Sequence, residues 1–179
     1  ANPESTDTNY EWFEVYNTLG TDLYVGGMVV SDEGSDSFTV ADGTVISALD
    51  HFVFGQSADA IPGGPDYNWS DSGDFLLANG DDEIILTYQS VVVDTLAYDD
   101  CSGCFPDPSG ASVSLDGASY AADNSNSALW CDGAWSYDAN GNMGSPGAEN
   151  EICPVVDPCD GVICTQPPVP FCDGNIAFT

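Results

Sequence analysis

The segment Asp138-Ala139-Asn140-Gly141-Asn142 sets three oxygen-bearing side chains at alternate positions of a glycine-rich loop. Carboxylate and amide oxygens on a short turn are what a hard cation such as Ca2+ requires. The segment is not an EF-hand loop, since its glycine falls at the fourth place and no helical pattern flanks it. Asp81, Asp82 and Glu83 after Gly80, and the pair Asp99-Asp100, are further oxygen clusters. A hydrated turn explains each of them singly, because Asp, Asn and Gly also build turns. Taken together they predict that Ca2+ or a similar cation binds somewhere on the surface.

Catalysis has less to work with. His51 is the single histidine and follows Asp50, so a Ser-His-Asp relay is formally available. No nucleophile-elbow motif accompanies it, and a structural hydrogen bond explains a histidine at a strand start. Among 30 Asp and Glu residues, any pair suited to glycoside hydrolysis is uninformative. Tyr67 and Trp69 fall in a stretch rich in Pro and Gly, where their rings would stack on a sugar or a partner, whereas Trp12 and Trp130 read as core. Asn68-Trp69-Ser70 also fits the glycosylation sequon.

Seven cysteines in 179 residues point to an oxidising compartment. Cys101-Ser-Gly-Cys104 reads as a local disulfide; the zinc and redox alternatives for CxxC lack a second ligand pair and a βαβ setting. Cys131 and Cys153 flank one Gly-rich stretch and are expected to pair, leaving Cys159, Cys164 and Cys172, an odd number.

The elements that position these residues are strands. Period-two alternation and β-branched or aromatic runs recur at 11–16, 23–30, 37–40, 51–54, 74–77, 83–88, 90–98, 111–114 and 128–130, separated by clusters of Gly, Asp, Asn and Ser. In the first run Phe13 and Val15 face one way and Trp12, Glu14 and Tyr16 the other, predicting one buried side and one wet side. No window shows helical periodicity. Many short strands with turn signals predict an all-β sandwich or barrel. From residue 151 the texture becomes rich in Cys and Pro, so 1–150 reads as the β domain and 151–179 as a disulfide-rich extension.

Charge restricts partners and surroundings. With no Lys or Arg the formal charge is −30, and no carboxylate finds a Lys or Arg partner within the chain, which predicts a fold without salt bridges. Such self-repulsion calls for a salty or calcium-rich medium. A composition 42% hydrophobic and 11% aromatic still supplies a core. Nucleic acid is excluded as a partner, because phosphates are neutralised by Lys and Arg. Anionic membranes are disfavoured for the same reason, and no apolar run approaches the ~20 residues of a membrane span.

"EWFEVYN" (11–17) resembles a strand near the start of the lamin tail domain family. "GGMVVSD" (26–32), the run 75–98 and "GSPGAEN" (144–150) resemble that family's later elements in the same order. The resemblance implies an immunoglobulin-like β-sandwich over residues 1–150. Met28 stands where the family usually has Trp, which implies different packing there. The family's first strand would precede Ala1, so it belongs either to sequence outside these 179 residues or to another chain. Residues 159–175 resemble the Cys-rich segments that follow such domains in large secreted bacterial proteins.

These readings converge on a non-catalytic extracellular module, structural or adhesive, that self-associates into a surface filament. The donor expected for an open sheet edge is residues 175–179, with Ile176 and Phe178 as the inserted side chains. The alternative is a calcium-dependent carbohydrate- or substrate-binding accessory domain of a secreted hydrolase, and an enzyme ranks third.

Overall fold

The computed structural model describes residues 9–154 apart from 72, 100, 102 and 103. Its strands are β1 (Trp12–Tyr16), β2 (Leu23–Tyr24), β3 (Val29–Ser31), β4 (Ser37–Thr39), β5 (Val45–Ile46), β6 (His51–Gly55), β7 (Tyr67–Asn68), β8 (Gly73–Asp74), β9 (Asp82–Tyr88), β10 (Val91–Tyr98), β11 (Val113–Leu115) and β12 (Trp130–Asp132). Two 3-10 turns, Trp69–Asp71 and Ser127–Leu129, are the only helical segments among the described residues. None is long and apolar enough to cross a membrane.

A three-stranded sheet in the order β1-β6-β7 and a five-stranded sheet in the order β10-β9-β3-β4-β8 share one apolar core. Phe13 and Phe54 come from the first sheet, Val30, Phe38 and Leu86 from the second. The arrangement is sandwich-like and all-β. Two-stranded ribbons, β2-β5 and β11-β12, flank it. The longest pairing is the β9-β10 hairpin, whose turn places Gln89 and Ser90 at φ 49° and 66°. Two left-handed residues in a row make the tight connection whose twist matches antiparallel strands.

The run 23–30 does not form one strand. Gly26 lies so close to the 41–43 segment that a Cβ there would meet the Gly43 nitrogen at 2.9 Å, and Gly27 turns the chain at φ 83°. β2 and β3 therefore join different sheets. Of the run 74–77 only Asp74, in β8 with Gly73, pairs, while Phe75 and Leu77 drop into the core. Residues 127–129 form a turn, and pairing begins at Trp130.

The wet face expected of β1 is also corrected. Phe13 and Val15 pack on the main core, but Trp12 is buried too, in a second cluster with Val53, Ala60 and Ile61. Tyr16 stacks on Tyr120 at 4.6 Å. After β1 the chain turns on Asn17, whose Nδ2 donates to the carbonyls of Thr21, Ile46 and Ser47 while its Oδ1 accepts from Leu19 N–H. A buried amide so completely satisfied fixes the corner.

Carboxylates bond the main chain where a typical protein would use Lys and Arg. Asp66 accepts from Val53 N–H at 2.8 Å, Glu11 from Leu77 N–H at 3.1 Å, and Asp116 from Cys153 N–H at 3.0 Å. Charge-assisted bonds of this kind are strong, yet they pair a charge with a dipole and leave the net charge uncancelled. The expectation of no salt bridge needs one correction. His51 Nδ1 lies 2.8 Å from Glu14 Oε1, an ion pair whenever the imidazole is protonated.

Cys101–Cys104 and Cys131–Cys153 are disulfide-bonded, with Cα separations of 5.2 and 5.7 Å. Such bonds belong to an oxidising environment. Glu151 is buried and its carbonyl accepts from Gly117 N–H, so residues 151–153 are stitched to the β body beyond the 150/151 boundary. Loop-closure entropy over the separation of 22 residues gives Cys131–Cys153 about 3 kcal/mol. Cys131→Ser/Cys153→Ser should lower the unfolding free energy in urea by about that amount, and a difference under about 1 kcal/mol would show the link to be dispensable. Trypsin has no site in this chain, so mapping the bonds calls for an Asp- or Glu-directed protease.

Candidate functional site

An apolar-floored groove of about 520 Å³ is bordered by β1, β9, β10 and β11. Its position follows from sheet order, because β1 and β10 are both terminal strands of their sheets. Gln56 N–H donates to Glu11 C=O and Asn17 N–H to Asp50 C=O, so the odd-numbered residues of β1 bond β6. Antiparallel alternation then points the N–H and C=O groups of Trp12, Glu14 and Tyr16 away from β6. All five residues of β1 border the groove, as a strand seen edge-on must. Ile84 and Leu86 of β9 with Leu96 and Tyr98 of β10 form its apolar floor.

One end of the groove is polar. His51 is bonded to Glu14, whose other oxygen accepts from Gly147 N–H at 2.6 Å. The Tyr16 ring lies 4.6 Å from His51 and 4.6 Å from Tyr120, and the Tyr120 hydroxyl accepts from Asn150 N–H. Burial raises the Tyr120 phenol above its ordinary value, partly offset by that Asn150 bond. Asp50 caps the backbone N–H of His51 at 3.0 Å and Glu14 is the bonded carboxylate on the ring, so the Asp50–His51 sequence pair is a local cap. On the floor, burial first and then the carboxylates of Asp82, Glu11 and Glu83 push the Tyr98 phenol far up. It stays a hydrogen-bond donor, to Ala78 C=O at 2.8 Å.

Tyr67 and Trp69 are not ligand-facing loop aromatics. Trp69 is only 1% exposed, and its indole Nε1 donates to Phe75 C=O at 2.9 Å. Tyr67 lies in β7, stacks on Phe38, accepts from Ala41 N–H and donates to Thr39 C=O. Their spacing of two residues was the available signal, since it sets both rings on one side of an extended segment.

Asp138, Asn140 and Asn142 do come together, but as an Asx-type turn. Asp138 Oδ1 accepts from the backbone N–H of Asn140 and Asn142, and its Oδ2 faces both amide nitrogens. Partial burial raises its pKa, and these bonds, led by Asn142, outweigh that and hold the carboxyl below its ordinary value. The loop's own N–H donors thus take both oxygens of the Asp138 carboxylate. Asp82 is likewise committed to Ala78 N–H and Glu83 N–H. Asp99 lies within reach of Cys101 and Cys104, whose sulfurs are joined to each other and so are not thiolate ligands. Cys159, Cys164, Cys172, Ile176 and Phe178 lie outside the described residues. Sequence reasoning missed Glu151, 8% exposed, whose Oε1 accepts from Ala134 N–H while Oε2 is buried without a hydrogen-bond partner among the described residues.

Fold and site together define an all-β, disulfide-bonded protein of sandwich-like build with an open groove. No protein-family model matches the chain, and no curated protein matches it.

Proposed function

We propose that this chain is a non-catalytic extracellular module, an immunoglobulin-like sandwich of the lamin-tail type, that serves as a structural or adhesive subunit and self-associates into a filament. The observation that carries the reading is the pair of open sheet edges. β1 ends one sheet and β10 the other, and Val91, Val92 and Val93 of β10 are 62%, 57% and 57% exposed. Three consecutive exposed valines on a terminal strand form an association-prone edge, which proteins ordinarily blunt with charge, proline or a bulge. A bulge does interrupt the pairing between Val92 and Asp94, but the valines stay in the open.

An assembly built on strand edges needs main-chain bonds and apolar burial only, which suits a chain devoid of Lys and Arg. The disulfides fit an extracellular setting. Electron micrographs of the purified full chain in calcium-containing saline should show filaments. Uniformly dispersed single particles at the same concentration would overturn the reading.

The alternative accessory-domain reading draws on the aromatic walls of the groove, where Trp130 packs on Phe105 at 5.7 Å and Tyr16 on Tyr120. Aromatic faces of this kind also receive sugars. Calcium-dependent retention on a glycan column, by dispersed particles, would favour it.

A further inference from the structure

We infer that the groove between β1 and β11 is an acceptor slot for one β-strand, and that its occupant is the segment 174–179 of a second copy of this chain. The inference rests on the self-association reading and specifies the joint.

The slot has two edge-on walls. On one, the main-chain groups of Trp12, Glu14 and Tyr16 point away from β6. On the other, Gly133 N–H donates to Ser112 C=O and Asp116 N–H to Leu129 C=O, so the even-numbered residues of β11 bond β12. Val113 and Leu115 therefore turn their main-chain groups the other way. Asn150 Nδ2 already takes the Leu115 carbonyl at 3.0 Å, which leaves the Leu115 N–H and both groups of Val113 among the described residues. β1 and β11 border the same groove without pairing with each other. Beneath them lies an apolar floor belonging to a five-stranded sheet, opposite a sheet of three strands. The smaller sheet is a strand short at this edge.

An occupant must meet three conditions. It must be extended over about the five residues of β1 and free of proline, because its N–H groups join the ladder. It must place alternate bulky apolar side chains on the floor. It must also lack acidic side chains, since Glu14, Asp94, Asp99, Asp107 and Asp123 border the slot. Residues 1–8 hold Pro3, Glu4 and Asp7. Beyond Pro154, carboxylates stand at 157, 160 and 173 and prolines at 158, 167, 168 and 170. Two runs escape both, 161–166 and 174–179, and only the second carries an aromatic ring for a groove of about 520 Å³. Bound as an extended strand, that run would set Ile176 and Phe178 on one face. Residues 155–174 would span at most about 70 Å when extended, enough to tether the segment to a neighbour. Donation of this head-to-tail kind does not close on itself and yields a fibre.

The test uses full-length chains with one half of the joint disabled. Ile176→Asp/Phe178→Asp removes the donor. Val113→Pro blocks the acceptor by deleting an N–H that β11 does not share with β12. Each variant alone should sediment as a single chain of 18.7 kDa under conditions where the unaltered chain polymerises. Mixed in equal amounts, they should form a pair of twice that mass and stop there, because the one intact donor meets the one intact slot. Far-UV circular dichroism confirms folding, and Leu96→Asp on the floor repeats the acceptor arm should Val113→Pro not fold. Polymers from the donor variant, or a mixture that stays at single-chain mass, would overturn the inference while leaving the filament reading intact. An unaltered chain that is itself monomeric would sink both.

Discussion

Trp69→Ala should lower the unfolding free energy by about 3–5 kcal/mol, placing it among the costliest single substitutions in this chain. The indole is almost wholly buried, stacks on Phe38 at 5.8 Å and 13°, and lies 5.8 Å from both Phe13 and Phe75. Alanine would leave a cavity in the aromatic centre of the core and strip the Phe75 carbonyl of its donor. Trp69→Phe separates the two contributions, since it retains most of the apolar volume and loses the hydrogen bond; its cost should be about 1–2 kcal/mol. For a chain of this size 3–5 kcal/mol corresponds to a fall in melting midpoint of roughly 10 °C. Urea titration measures both variants. A loss below about 1 kcal/mol for Trp69→Ala would return the residue to the exposed, ligand-facing position that its surroundings in the sequence suggest.

That substitution also marks where the sequence stopped being legible. Alternation over residues 12–16, 51–54 and 83–88 was strong because each strand there sets every second residue against the main core, and these strands lie where the pattern puts them. The two disulfide pairs followed from spacing and compartment. Trp69 was misread because Pro62, Gly63, Gly64 and Pro65 announce a loop, and the alternation of only two aromatic residues after them is too short to outweigh that signal. The wet face of β1 was misread for a different reason. Trp12, Glu14 and Tyr16 are covered by Tyr137, Gly147 and Tyr120, more than a hundred residues away in sequence, and no local periodicity encodes a cover so remote. The Asp138 loop shows that one composition serves two purposes. Asp, Asn and Gly satisfy either a cation or their own backbone, and only the direction of the amide nitrogens separates the two. The open edge at β10 left a faint trace in Val91-Val92-Val93, where alternation lapses on a terminal strand.

The melting midpoint should rise on the order of 10 °C or more between ~0.01 M salt with chelator and ~1 M salt containing calcium. The formal charge is −30, and the single ion-pair partner among the described residues is His51. A chain of 179 residues folds to a radius of gyration of about 16 Å. At 0.01 M the Debye length of ~30 Å exceeds that radius, so each carboxylate feels nearly all the others, whereas at 1 M the length of ~3 Å leaves only contacts. The backbone bonds that the carboxylates make do not relieve this, because a dipole cancels no net charge. Acid titration gives a second reading of the same balance. In low salt, protonation from pH 7 downward removes repulsion and should raise the midpoint. The gain ends where bonded carboxylates must protonate. Ser119 hydroxyl and Cys153 N–H hold Asp116 below its ordinary value, Ser125 does the same for Asp123, and Asp138 is held low by Asn142 and Asn140 against the opposing effect of partial burial. A lowered folded-state value means stability that is complete above the unfolded value of 3.8 and is lost as pH falls below it. The midpoint in low salt should therefore peak at mildly acidic pH, and the peak should flatten in 1 M salt, where repulsion is already screened. A midpoint unmoved by salt at pH 7 would mean that the folded chain disperses its charge no worse than the unfolded one, and the requirement for a salty medium would fall with it.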